Sequence, residues 1–180
     1  MQFTPAELHG AYVIELERHV DERGFFARSF CETEFAAHGL PTHFPQCNLS
    51  RNDKRGTLRG MHYEAGPSRE SKLVRCSRGT IQDVIVDLRP ESPTRFRWAS
   101  FELSDESGRA LFIPPGFGHG FLTLTDAVDV FYHMGDTYRP GSARGFRFDD
   151  PYFGIRWAAA PSVISERDAT YPDFDPSAPL

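Results

Sequence analysis

The sequence is poor in cysteine and has no long apolar run. Its three cysteines lie at positions 31, 47 and 76 without any CxxC pair, which argues against a disulfide framework and against a zinc knuckle. No apolar run reaches the roughly 18 residues of a membrane-spanning helix, and the first ten residues lack the basic and apolar regions of a signal peptide. These absences predict a protein of the reducing cytoplasm that is neither secreted nor inserted in a membrane.

The sequence also has no excess of positive charge and lacks several catalytic motifs. The formal net charge of −5 at pH 7 gives no general attraction to nucleic acid or anionic membranes, so we expect neither as a partner. Neither G-x-G-x-x-G, nor G-x-x-x-x-G-K-[ST], nor G-x-S-x-G occurs, which disfavours a phosphate loop and a serine hydrolase. The paired histidines (HxH) typical of metal-binding β-barrels are missing too, so a metal site built from His62, Glu64 and His119 is a weak alternative.

Aromatic and β-branched residues, by contrast, are plentiful and fall into short runs. Sixteen Phe among 180 residues supply one packed core, and this length suits a single domain over 1–180. The runs predict an all-β sandwich or barrel; they are AYVIEL, TLRGMHY, KLVRCS, IQDVIVDL, RWASFELS, ALFIPP, GFLTL and VDVFYHM. Short helices are predicted only at ETEFAAH and SERDA. The tail 161–180, rich in Pro, Asp and Ser, is predicted to pack on the body.

Alternation along these strands predicts which side chains face the interior. Side chains two residues apart share one face of a strand. The resulting groups are Leu58, Gly60 and His62; Lys72, Val74 and Cys76; and Val128, Val130, Tyr132 and Met134. His62, Lys72 and Tyr132 can therefore face one cavity. Alternation permits this without proving it, because each strand offers only two faces.

Each of these three polar residues has a reactive side chain and an ordinary structural explanation. His62 can accept and return a proton near neutral pH, although a lone strand histidine is more often structural. Lys72 is costly to bury without an anionic partner, although an edge-strand lysine in water needs none. Tyr132 can act as an acid inside a barrel, although core tyrosines commonly hydrogen-bond to the backbone. The residues alone leave these alternatives open.

Basic side chains are the candidates for phosphate binding. Arg23, Arg59 and Lys72 suit this role because cationic donors, and guanidinium forks above all, match phosphate oxygens. In a chain of net negative charge, basic groups beside a reactive cavity favour a phosphorylated small molecule as ligand. The alternative is that the arginines lie on the surface in water, as most do.

Several motifs follow one another in order along nearly the whole chain. They are RGFF at 23–26, QCNLS at 46–50, GTLRGMHY at 56–63, KLVRCSRGTIQDVIVDLR at 72–89, SPT at 92–94, IPPGFGHGF at 113–121, the segment 132–138 and SERD at 165–168. This set resembles the dTDP-4-dehydrorhamnose 3,5-epimerase family. The resemblance implies a cupin-like jelly roll, a homodimer with strands exchanged between subunits, a nucleotide-sugar substrate, and catalysis without metal or cofactor.

The resemblance also implies the reaction and four catalytic residues. Enzymes of this family invert C3 and C5 of a dTDP-4-keto-6-deoxyhexose, where a weak base can remove either hydrogen because both lie next to a ketone. His62 matches the base and Asp168 the carboxylate that orients it. Tyr132 matches the acid that returns a proton from the opposite face. Lys72 matches the cation beside the enolate oxygen.

A set of substrate-binding residues follows from the same resemblance. Its members are Arg23, Phe26, Gln46, Asn48, Arg59, Lys72, His119, Tyr138 and Arg167. Phe26 and Tyr138 are expected to form walls for the sugar and the base. Asp83 is a further candidate for orienting a cavity histidine, although a strand carboxylate more commonly hydrogen-bonds to a turn.

The sequence departs from the family pattern where the substrate is expected. Arg28 stands where RGFF-x-E has a glutamate, and Ala143 stands where another glutamate is usual. The nucleotide (dTDP, CDP or GDP), the deoxysugar and the number of carbons epimerised therefore stay open. Two competing functions are a non-catalytic sugar-binding cupin, which has no use for an oriented base and acid, and a metal-dependent cupin enzyme, which metal analysis would reveal.

Overall fold

The computed structural model describes residues 1–66 and 70–177. The last three residues of the predicted tail, 178–180, lie outside the described part of the chain. Within it, the strands are β1 Gln2–Pro5, β2 Tyr12–Glu15, β3 His19–Asp21, β4 Gly24–Phe26, β5 Gln46–Asn52, β6 Thr57–Glu64, β7 Lys72–Arg78, β8 Thr80–Asp87, β9 Trp98–Ser104, β10 Ala110–Ile113, β11 Phe117–Thr123, β12 Val128–Met134, β13 Ala143–Gly145 and β14 Val163–Ile164. The helices are α1 Glu32–Ala37 and α2 Glu166–Ala169.

Two large sheets contain most of these strands. The first has the order β1-β2-β10-β7-β12-β5, and the second has the order β13-β6-β11-β8-β9, with β14 added beside β6. The neighbouring strands along both orders run antiparallel, whereas β14 is parallel to β6. Strands that follow each other in sequence, such as β7 and β8 or β10 and β11, lie in different sheets. This alternation between sheets is the predicted cupin-like jelly roll, and the all-β prediction is confirmed.

The main core fills the space between the two sheets. Apolar side chains from both inner faces meet there, and Val74, Cys76, Ile81, Ile85, Leu103, Leu111, Phe121 and Val130 are almost completely buried. Burial also raises the pKa of the Cys76 thiol to about 12, so this cysteine behaves as a small apolar residue. The inner faces thus hold the two sheets together.

The C-terminal part of the chain covers the outer face of the second sheet. Val84 and Val86 of β8 pack there against Phe146, Phe153 and Ile155. The ring of Phe174 joins this cluster at 5.5 Å from Phe146 and 4.9 Å from Phe153. Strand β8 is therefore apolar on both faces, which explains why its sequence IQDVIVDL hardly alternates.

The eight predicted strand runs all contain strands, and both predicted helices form. The unpredicted strands are β1, the hairpin β3–β4, and β5, β13 and β14. Strand β5 (QCNLSRN) was missed because it has no apolar run. It lies at the edge of the first sheet with Cys47, Asn48 and Leu49 exposed. An edge strand of this kind is formed by pairing with its neighbour β12 rather than by its own burial.

A β-bulge in β6 interrupts the strict alternation of side chains that was expected around His62. The pairing with β11 runs from His119 opposite His62 to Phe121 opposite Arg59, so β6 uses three residues where β11 uses two. Gly60 permits the bulge, because a Cβ there would lie 2.6 Å from Cα of Gly120 and its φ is +123°. As a result Arg59, rather than Gly60, joins His62 at the cavity.

No helix in the described part of the chain is long and apolar enough to cross a membrane.

Candidate active site

A cavity of about 280 Å³ lies where polar side chains interrupt the inner faces of the two sheets. The first sheet contributes Asn48, Ser50, Lys72, Tyr132 and Met134, and the second contributes Arg59, His62, His119 and Phe121. His62, Lys72 and Tyr132 therefore reach one cavity, as alternation allowed. Histidine and tyrosine come from opposite walls.

His62 is held by a carboxylate from the C-terminal helix. Its Nε2 lies 2.8 Å from Oδ1 of Asp168, and its side chain is 42% exposed whereas that of Asp168 is 6% exposed. An ionised carboxylate only accepts hydrogen bonds, so Nε2 carries a hydrogen and Nδ1 keeps its lone pair. The base atom that this geometry provides is therefore Nδ1 of His62.

Asp168 stays ionised because its hydrogen bonds outweigh its burial. Burial by itself would raise the pKa of this carboxyl, but the hydrogen bonds from His62 and from the backbone N–H of Gly60, at 3.1 Å, hold the pKa below its usual value. Ser165 begins α2 by accepting a hydrogen bond from the N–H of Asp168 at 3.1 Å. Parallel pairing of β14 with β6 brings this helix to His62.

Tyr132 is partly buried in the first sheet and stays protonated. Burial raises the pKa of its phenol far above the usual value, and the negative charge of Asp83 acts in the same direction. The charge of Arg59 and a hydrogen bond with Ser50 oppose this shift without offsetting it. A phenol in this state can donate a proton but cannot serve as a base near neutral pH.

Lys72 has an anionic partner within its own chain. Its Nζ donates a hydrogen bond to Oε1 of Glu70, and both side chains are nearly buried, at 14% and 9% exposure. The anionic partner that a buried lysine requires is thus already present. Lys72 still lines the cavity beside Tyr132 and His62, so its charge acts there in combination with that of Glu70.

Arg59 and Asn48 also line the cavity. The Nε of Arg59 donates to Oδ1 of the buried Asn52 at 2.7 Å, and its Nη2 donates to the carbonyl of Arg51 at 3.3 Å. These bonds fix the guanidinium along the rim of the cavity. Gln46 lies further along β5, where its Oε1 accepts a hydrogen bond from the N–H of Tyr138 at 2.6 Å.

His119 forms a second histidine–carboxylate pair in the same cavity. Its Nε2 lies 2.9 Å from Oδ2 of Asp83, and both side chains are buried. The ring meets that of Tyr132 edge-on, with centroids 6.3 Å apart. Asp83 therefore orients a cavity histidine, which is the less common of the two explanations that the sequence offered.

Two further cavities adjoin the first one and share His62 with it. One, of about 210 Å³, is lined by Tyr63, Glu64, Glu70, Lys72, Met134, Tyr138, Ala143 and Arg167 in addition to His62. The other, of about 430 Å³, lies along β6 and β14 and includes Arg59, Arg167 and Asp168. Arg167 and Tyr138 thus lie beside the catalytic candidates. Ala143, one of the two departures from the family pattern, faces the same space.

Arg23 and Phe26 do not line any of these three cavities. Both lie on the β3–β4 hairpin, which forms a two-stranded sheet of its own. The Arg23 side chain is 84% exposed and pairs with Asp21, and Phe26 is 75% exposed. Arg28 follows the hairpin and pairs with Glu34 at 3.5 Å. These two predicted binding residues are therefore separate from the others in this structure.

Some cavity residues were absent from the sequence-based set. Ser50, Phe121 and Met134 line the main cavity, and alternation from Asn48, His119 and Tyr132 would have located them. Tyr171 had no such signal. It follows α2 and packs edge-on against His62 at 6.0 Å between ring centroids, and Gly145 leaves room for it, since a Cβ there would lie 2.4 Å from the tyrosine ring.

The structure gives no support to the alternative of a metal site built from His62, Glu64 and His119. Among residues 1–66 and 70–177, no three His, Cys, Asp or Glu side chains are grouped so that they could hold a metal ion. The two cavity histidines each direct Nε2 to a carboxylate instead.

The fold and the cavity define a class of protein, a cupin-like jelly roll with a histidine–carboxylate pair and a tyrosine in one cavity. Comparison with known proteins narrows this class. The family model of dTDP-4-dehydrorhamnose 3,5-epimerase matches residues 5–176. The chain belongs to this family.

Individual relatives are similar over most of their length. The dTDP-4-dehydrorhamnose 3,5-epimerase of Methanothermobacter thermautotrophicus is 43% identical over 173 residues, covering 94% of this chain and 92% of that protein. The dTDP-4-dehydrorhamnose 3-epimerase of Streptomyces niveus is 37% identical over 93% of this chain and 81% of that protein. A crystal structure of the dTDP-6-deoxy-D-glucose-3,5-epimerase of Legionella pneumophila in complex with dTDP-4-keto-L-rhamnose superposes with a TM-score of 0.89 at 35% identity, over 96% of this chain and 92% of that one.

Proposed function

We propose that the protein is a nucleotide-sugar epimerase, an isomerase that inverts C3 and C5 of a dTDP-4-keto-6-deoxyhexose in the formation of dTDP-L-rhamnose-type deoxysugars. The observation that carries this proposal is that His62 and Tyr132 enter one cavity from opposite sheets. Inversion at a carbon requires that a proton leave from one face and return to the other. A base and an acid on opposite walls meet this requirement.

His62 removes the proton through Nδ1. The hydrogen bond from Nε2–H to Asp168 keeps the lone pair on Nδ1, and the carboxylate stabilises the imidazolium that forms when the sugar C–H proton is transferred. The electron pair of that C–H bond becomes the enolate, with its negative charge on the oxygen at C4. Tyr132 then donates its proton to the same carbon from the other face, and solvent restores both residues.

The enolate needs a cation close to its oxygen, and Lys72 is the residue that we assign to this role. Lys72 lines the cavity from the same sheet as Tyr132, on the neighbouring strand β7, and a fixed positive charge beside a developing oxyanion accelerates enolisation. Its hydrogen bond to Glu70 anchors the side chain. We infer that the enolate competes with Glu70 for the ammonium group during the reaction.

The C-terminal segment is part of the catalytic unit in this proposal. Asp168 belongs to α2, which follows β14 in the segment that begins at residue 161. We accordingly propose that 1–180 form one jelly-roll domain in which the tail packs on the body to complete the site. Contacts of Phe174 with the outer face of the second sheet support this arrangement.

The nucleotide is proposed to extend from the main cavity into the adjoining cavity of about 210 Å³ that Tyr138 and Arg167 line. Arg59, Lys72 and Arg167 supply cations for a diphosphate there, since such donors match phosphate oxygens. Asn48 and His119 would contact the sugar, and Tyr138, held by Gln46, would contact the base. The complex of the Legionella pneumophila relative with dTDP-4-keto-L-rhamnose supports a substrate of this class.

A homodimer with exchanged strands would explain the isolated hairpin. Val20, Phe25, Phe26 and Leu49 are more than half exposed in the protomer, and they lie on the β3–β4 hairpin and on the edge strand β5. Exposed apolar side chains beside an open sheet edge are typical of an interface. We propose that the hairpin of each protomer reaches its partner, where Arg23 and Phe26 would complete the nucleotide site.

Replacing Phe26 with Asp is expected to disrupt this dimer and to abolish binding of dTDP, because a charge buried in an apolar interface is costly. Light scattering coupled to size-exclusion chromatography measures the mass, and calorimetry measures dTDP binding. Phe26→Leu, which keeps an apolar side chain, serves as the matched control and should stay dimeric. A monomeric wild-type protein, or a dimeric Phe26→Asp variant that binds dTDP normally, would contradict the proposal.

Residence in the cytoplasm and catalysis without metal or cofactor stay predictions. Cys31, Cys47 and Cys76 are all free thiols, which supports a reducing compartment. Metal analysis of the active protein, with and without a chelator, tests the second prediction: activity that disappears on chelation and returns with a metal would refute it.

The reaction is tested by proton NMR of the protein with dTDP-4-keto-6-deoxyglucose in D₂O. We expect the C3 and C5 proton signals both to disappear as solvent deuterium replaces them. Exchange at one position alone would identify a mono-epimerase, which is the second candidate because the Streptomyces niveus relative is a 3-epimerase. If neither signal changes with dTDP, CDP or GDP sugars, the epimerase proposal fails.

A further inference from the structure

The cavity contains two histidine–carboxylate pairs, and the mechanism above uses only one. Asp168 holds His62, whereas Asp83 on β8 holds His119 on β11 through a contact of 2.9 Å between Oδ2 and Nε2. In the β6–β11 ladder His119 lies directly opposite His62. The two imidazole rings are therefore neighbours on one wall, and each is bound at Nε2 by a carboxylate.

The β-sheet register brings Asp83 to His119. Asp83 lies opposite Phe121, two residues beyond His119 on the same face of β11, so the aspartate and the histidine are diagonal neighbours within reach of each other. The two histidines differ in exposure. The His62 side chain is 42% exposed and that of His119 is 8% exposed, which suits His62 for exchanging protons with solvent and His119 for a fixed contact.

Asp83 is an expensive residue at this position. It is completely buried, and its Oδ1 has no hydrogen-bond partner among the residues that the structure describes. A buried carboxylate with an unsatisfied oxygen lowers stability relative to a well-packed apolar residue. The pairing with His119 therefore needs an explanation beyond the packing of the core.

We propose that Asp83 is a positioning residue that fixes the ring orientation and the tautomer of His119, so that Nδ1 contacts the sugar of the substrate. Because a carboxylate only accepts hydrogen bonds, Nε2 of His119 carries a hydrogen towards Asp83. Nδ1 is then the ring nitrogen left for a ligand. This assignment rests on the proposed nucleotide-sugar substrate.

The same carboxylate also acts on Tyr132. The ring of His119 contacts both residues: it hydrogen-bonds to Asp83 and packs edge-on against Tyr132, with ring centroids 6.3 Å apart. The charge of Asp83 adds to burial in raising the pKa of the Tyr132 phenol. Asp83 thus helps to keep the acid protonated while it orients a contact for the sugar.

Asp83→Asn tests this role without changing the size of the side chain. The new amide can donate to Nε2, which selects the opposite tautomer with the hydrogen on Nδ1, so ¹⁵N NMR of histidine-labelled protein should show His119 switching from the Nε2–H to the Nδ1–H form. Binding of dTDP-glucose, measured by calorimetry, should weaken about tenfold from the loss of one hydrogen bond. His119→Gln should weaken it to a similar extent, and the double variant should be no weaker than either single one.

Asp87→Asn is the matched control. Asp87 is equally buried on the same strand, but it bonds to Arg89, Ser92 and Thr94 rather than to a histidine. Its replacement should lower the melting temperature and leave both the His119 tautomer and dTDP-glucose affinity unchanged. An unchanged tautomer in Asp83→Asn, a tautomer switch without weaker binding, or additive effects in the double variant would overturn the role of Asp83. Wild-type binding of dTDP-glucose without deuterium exchange on a 4-keto sugar would instead refute the epimerase proposal alone.

Discussion

His62→Ala is expected to abolish deuterium incorporation at C3 and C5 of dTDP-4-keto-6-deoxyglucose. The variant lacks the Nδ1 lone pair that removes the proton, and general-base catalysis by a positioned side chain contributes roughly 10²- to 10⁴-fold. Tyr132 does not replace it, because its phenol is held protonated by burial. Proton NMR in D₂O, followed over time at fixed protein concentration, measures the loss directly.

The control for this experiment is His43→Ala. His43 is exposed and lies outside the three cavities around His62, so exchange in this variant should match the wild type. Melting temperatures and dTDP affinity of both variants establish that they fold and bind. Exchange at the wild-type rate in a folded His62→Ala protein would remove His62 from the role of base.

Tyr132→Phe is expected to separate exchange from inversion. His62 in this variant can still remove a proton and return deuterium to the same face, so exchange should stay within a few-fold of the wild type. Inversion needs a proton from the other wall, and its rate should fall by roughly 10²- to 10⁴-fold when the phenolic hydroxyl is missing. The NMR time course reports both quantities, since the ring-proton couplings distinguish the inverted sugar from the exchanged starting material.

Equal loss of exchange and inversion would show that Tyr132 serves in binding rather than as the acid. Tyr152→Phe is the matched control, because it removes a phenolic hydroxyl from a half-exposed tyrosine that packs edge-on against Phe153, outside the cavities around His62. Its effect on both rates should be negligible. A large effect would indicate that the observed losses arise from changes in packing.

Much of the fold could be predicted because most of its strands have a recognisable sequence pattern. Runs such as VDVFYHM and KLVRCS alternate or are rich in β-branched residues, and the turns between them contain Gly, Pro and Asp. Strands without that pattern could not be found. Strand β5 is mostly polar and exposed, and it exists because β12 offers it a full ladder from Val128 to Met134.

The site likewise has residues that the sequence indicated and contacts that it did not. Side-chain chemistry and motif order indicated His62, Lys72, Tyr132 and Asp168, and three of these line one cavity while the fourth bonds to His62. Local pattern gave no sign that Glu70 would pair with Lys72 or that Tyr171 would pack on His62. These contacts join residues whose meeting depends on strand register and on the course of the tail.

The sequence by itself determined that this chain is an all-β sandwich or barrel with reactive side chains on its strands, because alternation, turn residues and side-chain chemistry are local properties. The tertiary structure alone decided which residues share the cavity. The bulge at Gly60 turned Arg59 towards His62, and the diagonal register of β8 and β11 joined Asp83 to His119. Such contacts are set by pairing between strands distant in sequence, where a shift of one residue reverses the face of every side chain.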